Sequence, residues 1–405
     1  MLSKTRLFLA GVLLLSAPLV FAFKSWTAPP AAHHKMPGRP GIEALAAAPA
    51  QAPVPFAGPR IQVALLIDVS GSMEGLLEQA KAQLWNLVSL LGKAECPQGS
   101  PRVEIALYEY GRQDDARSGY MRQLSPFTTD LDSLSKTLFA LRTTGSNEYC
   151  PQVIFRSTQD LGWDTSGATY RAIFIAGNET FWQGPVSWTE ACRAAQAKGI
   201  IVNTIYCGDR GQGITEHWNL AGECGKGSYT NINQNAQLEN IATPYDSAIY
   251  TYNTKLNSTM IGYGYDGRRK LEEVVVVDAN NSRLNKASGI KRMEVKGKKS
   301  LYRNDSWELV DAYEADSTIL AKIDGKTLPD SLRQASPQQL KAVVKGKLAE
   351  RETIRNEIGR LSAARSQWLE TERKRRSGAS AEATLETEME KILKEQVKAN
   401  GFFIR

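Results

Sequence analysis

The hydrophobic pattern between residues 61 and 232 switches repeatedly between two periodicities. Short runs that are apolar at nearly every position, such as IQVALLI (61–67) and YRAIFIA (170–176), are typical of strands covered on both faces. Between them, apolar residues recur three and four positions apart, which predicts amphipathic helices. Alternation of this kind favours an α/β fold, in which helices flank a doubly wound, mostly parallel sheet. The full prediction is strands at 61–67, 102–110, 170–176, 200–208 and 228–232, and helices near 75–91, 131–141, 150–160, 188–199, 214–222 and from about 236.

After residue 250 the pattern becomes mainly helical. Helices are predicted over 268–286, 337–376 and 384–398. In the longest of them, a narrow apolar seam follows a 4-3-7 spacing that is typical of coiled-coil-like pairing. The seam residues are Ile354, Ile358, Leu361 and Trp368. We therefore expect an α-helical C-terminal region over 251–405, whose seam packs back onto the domain or mediates self-association.

Charge is distributed unevenly along the chain. Residues 1–250 contain 20 Lys and Arg against 21 Asp and Glu, whereas residues 251–405 contain 30 against 22, so the net charge of +7 comes from the C-terminal region. Clusters at 291–299 and 373–376 are strongly basic. Charge runs usually form solvated faces, and an exported chain has little access to nucleic acid. We expect no nucleic-acid partner, and contact with an anionic envelope surface stays open.

The N-terminus has the features of an export signal. Lys4 and Arg6 precede an apolar run from Leu7 to Val20, and small residues then offer a cleavage site before Phe23. We predict a signal peptide over 1–22 and a Pro/Ala-rich linker over 23–60. The chain is then periplasmic, secreted or bound to the cell envelope, and an uncleaved signal would serve as an N-terminal anchor.

Export makes disulfide bonds possible for the five cysteines, although an odd number leaves at least one unpaired. Cys207 and Cys224 flank the late short helix and are the predicted disulfide pair. Cys192 is predicted to be a buried free thiol. No spacing is Cys-x-x-Cys, which disfavours a structural zinc site.

The sequence IDVSGSM carries the candidate chemistry. Asp68, Ser70 and Ser72 follow the first buried strand, and ligands of parallel sheets bind beyond the carboxyl ends of strands. Carboxylate and hydroxyl oxygens suit a divalent cation, Mg²⁺ above all. Gly71 is expected to permit the tight turn. The alternative is a metal-free turn in which Ser70 or Ser72 caps the following helix.

This stretch resembles the metal-ion-dependent adhesion site of von Willebrand factor type A domains. The resemblance extends over residues 61–250 and includes NTIYCG and HWNLAGECGKGSYTNI. The region around YRNDSWELVDA looks like the C-terminal part of uncharacterised exported bacterial proteins with such a domain. The resemblance implies a doubly wound fold, a bound divalent cation, and a protein partner that completes the coordination shell with an acidic side chain.

Two further loops of the family's site differ in this chain. In LRTTGSNEYC (141–150), Asn147 stands where the family usually has a threonine, and in IFIAGNETF (173–181), Gly177 stands where it usually has an aspartate. Asn147, Glu148 and Glu179 are therefore weaker candidates, and either glutamate can replace the missing carboxylate.

Catalytic motifs are scarce. His217 is the only histidine within a predicted folded region, and no Gly-x-Ser-x-Gly sequence is present. The sequence predicts a non-enzymatic exported binding protein with a degenerate metal-ion-dependent adhesion site. The alternative is a structural scaffold with an inactive metal site, which acts through its C-terminal helices.

Overall fold

The computed structural model describes residues 58–113, 116–145, 147–236, 240–376 and 385–404, which belong to one compact unit. The predicted signal peptide and nearly all of the linker lie outside the described residues. The strands are β1 (Arg60–Asp68), β2 (Ala94–Glu95), β3 (Arg102–Tyr110), β4 (Met121–Thr128), β5 (Thr169–Gly177), β6 (Ile201–Cys207), β7 (Lys226–Ile232) and β8 (Phe403–Ile404).

The predicted helices are present, that near 214–222 as two helices, whereas those at Lys286–Lys296, Leu309–Ala315 and Ile319–Lys322 were not predicted. Single 3-10 turns lie at Ala116–Ser118, Gly325–Thr327 and Asp330–Leu332. The α-helices are α1 (Glu74–Leu91), α2 (Leu131–Ala140), α3 (Cys150–Asp160), α4 (Trp188–Ala197), α5 (Arg210–Thr215), α6 (Trp218–Cys224), α7 (Asp246–Ser258), α8 (Gly267–Leu284), α9 (Lys286–Lys296), α10 (Leu309–Ala315), α11 (Ile319–Lys322), α12 (Pro337–Arg376) and α13 (Leu385–Ala399). The helix predicted from about residue 236 begins only at Asp246, because Pro244 disfavours helical backbone in the residue before it.

A six-stranded sheet with the order β4-β3-β1-β5-β6-β7 forms the centre of the molecule. Neighbouring strands are parallel except β3 and β4, which are antiparallel. This confirms the predicted doubly wound, mostly parallel sheet. The edge strand β4 was not predicted because its sequence, MRQLSPFT, is largely polar and contains Pro126, a residue that sheets tolerate at their edges.

Helices cover both faces of this sheet. Along β1, Val63 and Leu65 face a core formed with α1, α2 and α13, whereas Ala64 and Leu66 face a core formed with α3, α4 and α6. Because alternate residues of a strand point to opposite faces, a strand buried on both sides must be apolar throughout. The central strand therefore has no polar side chain until its last residue, apart from Arg60 and Gln62 at its start.

The C-terminal helix α13 contributes to the same core as the strands. Its Leu393 and Val397 are fully buried in the cluster on the α1 face. Gln396 accepts a hydrogen bond from the Tyr170 hydroxyl at 2.7 Å and donates one to Asn203 at 2.6 Å. The strand that follows α13, β8, pairs with β2. Helix α13, which lies far from the strands in sequence, thus completes one of the helical layers that cover the sheet. The predicted domain boundary at residue 250 stays a prediction.

Helices α8 and α9 are held to α2 by buried charges. Arg292 is fully buried, forms ion pairs with Asp132 and Asp278, and lies over the Trp85 ring at 4.6 Å. Lys296 is also fully buried and contacts Asp278 at 2.8 Å. The prediction that cations at 291–299 form a solvated basic face is wrong for these two. They are unavailable to an anionic surface.

The long helix α12 has the predicted bounds, and its seam packs back onto the chain. Ile354 and Ile358 contact Leu256 of α7, and Leu361 packs with Ile290 of α9. Pairing of this helix with a second chain stays a prediction. Among the described residues, no helix is both long and apolar enough to cross a membrane.

Candidate metal site

Asp68 is the last residue of β1 and lies at the carboxyl edge of the sheet, where it is fully buried. Its Oδ1 accepts a hydrogen bond from the Ser70 backbone N–H at 2.7 Å. The Val69 N–H donates to the Tyr110 carbonyl at 2.9 Å, and the Met73 N–H donates to the Ser70 carbonyl at 3.1 Å. These bonds direct the chain from the strand into α1 through a tight turn and fix the Asp68 carboxyl inside it.

The two predicted serines lie together above this carboxyl. Their hydroxyl oxygens are 3.3 Å apart, with Ser70 buried and Ser72 exposed. Ser72 Oγ also lies 3.1 Å from the Asn178 side-chain nitrogen, which belongs to the loop after β5. Neither serine caps α1, since its N-cap residue is Met73 and no side-chain hydrogen bond is made there. The prediction that a serine caps α1 is therefore wrong, while the presence of a metal in this turn stays a prediction. We call the region bounded by Asp68, Ser70 and Ser72 the notch.

Gly71 differs from its predicted role. It is absent from the glycines with positive φ, and a Cβ built on it would meet no atom within 4 Å. The close approaches instead involve Gly111 and Gly177. A Cβ on Gly111, which has φ +80°, would lie 2.7 Å from Asp68 Oδ1, and one on Gly177 would lie 3.0 Å from Asp68 Oδ2. Gly111, directly after β3, and Gly177, the last residue of β5, thus keep the space around the carboxyl open.

Glu148, one of the weaker candidates, lies beside Asp68. It is 2% exposed, and a Cβ built on Gly111 would lie 2.7 Å from Asp68 Oδ1 and 3.4 Å from Glu148 Cγ, so the two carboxyl side chains are neighbours. Oδ2 of Asp68 and Oε2 of Glu148 are both buried without a hydrogen-bond partner. Two buried acids with unpaired oxygens are costly to keep side by side unless a proton or a cation lies between them.

Burial is the main reason why the pKa values of both carboxyls are raised. It raises the pKa of Asp68 from 3.8 to about 6, even though hydrogen bonds from Glu148 and Ser70 act in the opposite direction. Burial also raises the pKa of Glu148, and the neighbouring negative charge of Asp68 raises it further. Without a cation, the pair therefore retains a proton at neutral pH.

The second loop reaches the site through its backbone. The Thr144 N–H donates to the Val69 carbonyl at 2.8 Å, and Gly145, with φ +58°, lies against the backbone of Gly71. Asn147, which stands in the threonine position, is exposed. Glu148 follows immediately and turns inward. The structure thus brings Glu148 to Asp68, while Asn147 stays at the surface.

The loop after β5, the third loop of the candidate site, contributes the side-chain amide of Asn178 on the exposed side of the notch. Glu179 is exposed, and its negative charge adds to the burial that raises the Asp68 pKa. Its backbone carbonyl accepts a hydrogen bond from the Trp218 indole N–H at 2.7 Å, which fixes the loop to α6. Asn178, which was not among the predicted site residues, provides the polar contact to Ser72.

These donors suit a hard divalent cation. Asp68 and Glu148 provide carboxylate oxygens, and Ser70, Ser72 and Asn178 provide neutral oxygens, which is the ligand chemistry that Mg²⁺ and Mn²⁺ prefer. The part of the chain that the structure describes contains no group of three or more His, Cys, Asp or Glu side chains that could hold a metal. A cation at this site would therefore depend on two carboxylates and neutral oxygens, and the unpaired oxygens of Asp68 and Glu148 fit that requirement.

The predicted disulfide between Cys207 and Cys224 is not formed, and all five cysteines are free thiols. Cys207, at the end of β6, belongs to the core on the α1 face, whereas α6 packs its Trp218 and Ala221 into the core on the other face. The sheet itself separates the two thiols. Sequence proximity around a short helix did not reveal which face each side chain occupies.

No protein-family model matches this chain, and no curated protein matches it. Similar solved structures include BatB from Bacteroides thetaiotaomicron, 20% identical, with 42% of this chain and 90% of that chain covered and a TM-score of 0.32. The SpRpn10 VWA domain is 15% identical, with 44% and 91% covered and a TM-score of 0.31. Mussel byssus proximal thread matrix protein 1, solved with zinc in its metal-ion-dependent adhesion site, is 10% identical, with 43% and 42% covered and a TM-score of 0.32.

These likenesses are remote, and the fold is assigned by the chain's own sheet. A mostly parallel six-stranded sheet, helices on both faces, and an Asp-x-Ser-x-Ser turn at the carboxyl end of its first strand are present together. The predicted α/β fold, a doubly wound and mostly parallel sheet flanked by helices, is confirmed, and its Asp-x-Ser-x-Ser turn stands where the resemblance to von Willebrand factor type A domains places it.

Proposed function

We propose that this chain is a non-enzymatic binding protein that holds a divalent cation, Mg²⁺ above all, between Asp68, Glu148 and the two serines. The observation that carries this proposal is the pair of buried carboxyls with unpaired oxygens. A fold has no structural reason to maintain two such acids in contact, because burying unpaired ionisable groups costs stability. A cation would replace the retained proton and stabilise both carboxylates.

The open side of the notch favours binding of a partner. Mg²⁺ takes about six oxygen ligands and usually keeps several waters. Asp68, Glu148 and the two serines would supply some of these ligands. The others would come from water or from a partner at the exposed side of the notch, next to Gly71 and Ser72. A carboxylate oxygen of a protein partner can replace a water there. Glu179 lies on the same side, and its charge would favour a partner that presents one acidic side chain rather than an acidic cluster.

His217, on which a Ser-His-Asp or Cys-His arrangement would depend, is used in packing. His217 stacks on Trp182 with ring centroids 3.8 Å apart and has the left-handed backbone conformation, with φ +67°. It precedes α6, while the Asp68 carboxyl lies in the turn before α1. This arrangement supports a binding role in preference to acid–base chemistry. Export to the periplasm, cell surface or medium remains part of the proposal and rests on the sequence of residues 1–22.

Calorimetric titration of the full chain with Mg²⁺ and Mn²⁺ tests the cation site. We expect binding by the natural chain, and at least about tenfold weaker binding by Asp68→Asn and by Glu148→Gln, because each loses a charged ligand worth more than about 1.4 kcal/mol. Asp164→Asn is the matched control. Asp164 lies in the loop before β5, at the amino ends of the parallel strands and so away from the candidate site. Its oxygens accept hydrogen bonds from Ser166 and Thr169.

If neither metal binds the natural chain, or if Asp68→Asn binds as well as Asp164→Asn, the cation site is refuted. That result would favour the scaffold alternative, in which the C-terminal helices provide the interaction surface. Pull-down of partners in Mg²⁺ and in chelator then tests the second half of the proposal, since a cation-completing partner must be lost in chelator.

A further inference from the structure

Cys192 and Cys224 belong to two helices that pack side by side on the face of the sheet opposite α1. Cys192 lies in α4, where its neighbour Ala191 is buried in the core, and Cys224 is the last residue of α6, whose Ala221 is buried in the same core. Cys192 is 2% exposed, whereas Cys224 is half-buried. Cys192 is thus enclosed, whereas Cys224 is the more accessible of the two residues.

Contacts between the helices bring these two side chains together. Cys192 Sγ lies 3.7 Å from the Ala221 carbonyl oxygen, and Gln196, one turn further along α4, donates to the carbonyl of Cys224. Residues three or four positions apart share a face of a helix, so Cys192 and Gln196 both face α6, and Ala221 and Cys224 both face α4. Cys224 is also the neighbouring group that, after burial, raises the pKa of the Cys192 thiol, as expected for two adjacent side chains.

We propose that Cys192 and Cys224 form a dithiol site that a disulfide-bearing oxidant converts into an intrachain disulfide between α4 and α6. The other cysteines are differently placed. Cys207 lies on the opposite face of the sheet, and Cys150 lies 3.7 Å from the Tyr110 hydroxyl beneath the candidate metal site. Cys96 contacts the Gly99 carbonyl in a turn at 3.2 Å.

The exposure of the two sulfurs sets the order of the reaction. The thiolate of Cys224 attacks one sulfur of the oxidant's disulfide, which forms a mixed disulfide and releases one oxidant thiolate. Cys192 then loses its proton and attacks Cys224 Sγ, which releases the second thiolate. Two protein thiols are oxidised by two electrons, and one oxidant disulfide is reduced to two thiols that take up the two protons. Burial raises the pKa of Cys192, which lowers the fraction of its reactive thiolate in the second step.

The bridge would brace the candidate metal site. Trp218 begins α6 and donates its indole N–H to the carbonyl of Glu179, in the third loop of that site. A covalent link between α4 and the end of α6 therefore restrains the helix that holds this loop. The dithiol does not itself touch the cation ligands, so its chemistry can be tested separately from metal binding.

Peptide mapping of the full chain distinguishes the possible pairs. The reduced protein is treated with oxidised glutathione, alkylated and digested with trypsin without reduction. Trypsin places the three relevant cysteines in separate peptides, 172–193 for Cys192, 199–210 for Cys207 and 211–226 for Cys224. We expect 172–193 joined to 211–226, with a mass two hydrogens below the sum of the two. The Cys207→Ser variant serves as the matched control and should give the same product.

The Cys192→Ser variant should stop at the first step and accumulate glutathione on Cys224. A persistent glutathione adduct on Cys224 of the natural chain, with Cys192 alkylated, would overturn the proposal, as would a link between 199–210 and 211–226. Should Cys192→Ser fail to fold, the map of the natural chain decides the question alone.

Discussion

Replacing Asp68 with asparagine should stabilise the metal-free protein, which is the reverse of the usual result of altering a buried residue. In the natural chain, burial raises the Asp68 pKa from 3.8 to about 6. At about 1.36 kcal/mol per pKa unit, this rise corresponds to a cost of about 3 kcal/mol at neutral pH. Asparagine removes that cost, and its carbonyl oxygen can still accept the Ser70 N–H. Its amide can also donate to the unpaired Glu148 oxygen, so we expect a gain of about 1–3 kcal/mol.

The sign of the pH dependence follows from the direction of the shift. A carboxyl whose pKa is raised by folding carries no penalty below its unfolded value of about 3.9, and the penalty develops as the pH rises to the folded value. The advantage of Asp68→Asn over the natural chain should therefore be complete above about pH 6 and should vanish below about pH 4. Thermal unfolding followed by circular dichroism in chelator measures it, as a midpoint increase of about 2–6 °C.

Asp164→Asn provides a control of opposite sign. Burial acts to raise the Asp164 pKa, but hydrogen bonds from Thr169 and Ser166 and the charge of Arg60 outweigh it and lower the pKa. Its neutralisation should therefore reduce stability at neutral pH. The reasoning is refuted if Asp68→Asn folds normally yet is no more stable than the natural chain in chelator at pH 7.5. Added Mg²⁺ should stabilise the natural chain and leave Asp68→Asn unchanged.

Three further predictions concern other parts of the molecule. Arg292→Met should lower the free energy of unfolding by about 3–5 kcal/mol in urea denaturation, because it leaves Asp132 with an uncompensated buried charge; an effect below about 1 kcal/mol would contradict the role of this ion pair. Burial acts to raise the Asp278 pKa, but Lys296 and Arg292 hold it well below its ordinary value. The ionised Asp278 carboxylate therefore stabilises the fold above about pH 4, and this stabilisation is lost at lower pH. Asp278→Asn should show a flatter loss of stability between pH 5 and 3. Gly111→Ala should weaken Mg²⁺ binding and lower the melting temperature, whereas Gly71→Ala, with open space at Cβ, should match the natural chain in both measurements.

The candidate site was predictable where its determinants are local in sequence. Asp68, Ser70 and Ser72 follow a strand whose apolar run fixes its end, so strand and turn together place three oxygens at the sheet edge. Glu148 was only a weaker candidate, because the second loop is irregular and register counting cannot follow it. Gly145 has a left-handed backbone in this loop, and Glu148 is buried whereas Asn147 is exposed.

Charge pairing was the least predictable feature. Arg292 and Lys296 belong to a basic run that looks like a solvated surface, yet both are fully buried. Their partners are Asp132, which lies far away in sequence, and Asp278, which lies on the preceding helix. Hydrophobic periodicity reports which face of a helix is covered, but it carries no information about which acid meets a given base. Composition likewise assigned these cations to a surface that they do not reach.

The placement of α13 shows the same limit for packing and affects how function should be tested. Its apolar spacing predicted a helix, but nothing in that spacing identified β5, β6 and α1 as the surface it covers. Leu393 is buried against that surface, and the Gln79 side chain of α1 accepts the Leu385 N–H at 3.0 Å. A fragment ending at residue 250 would expose this apolar face, because the helix that covers it would be missing. Loss of cation binding in such a fragment would then reflect the exposed core, so the Asp68 and Glu148 variants must be compared in the full chain.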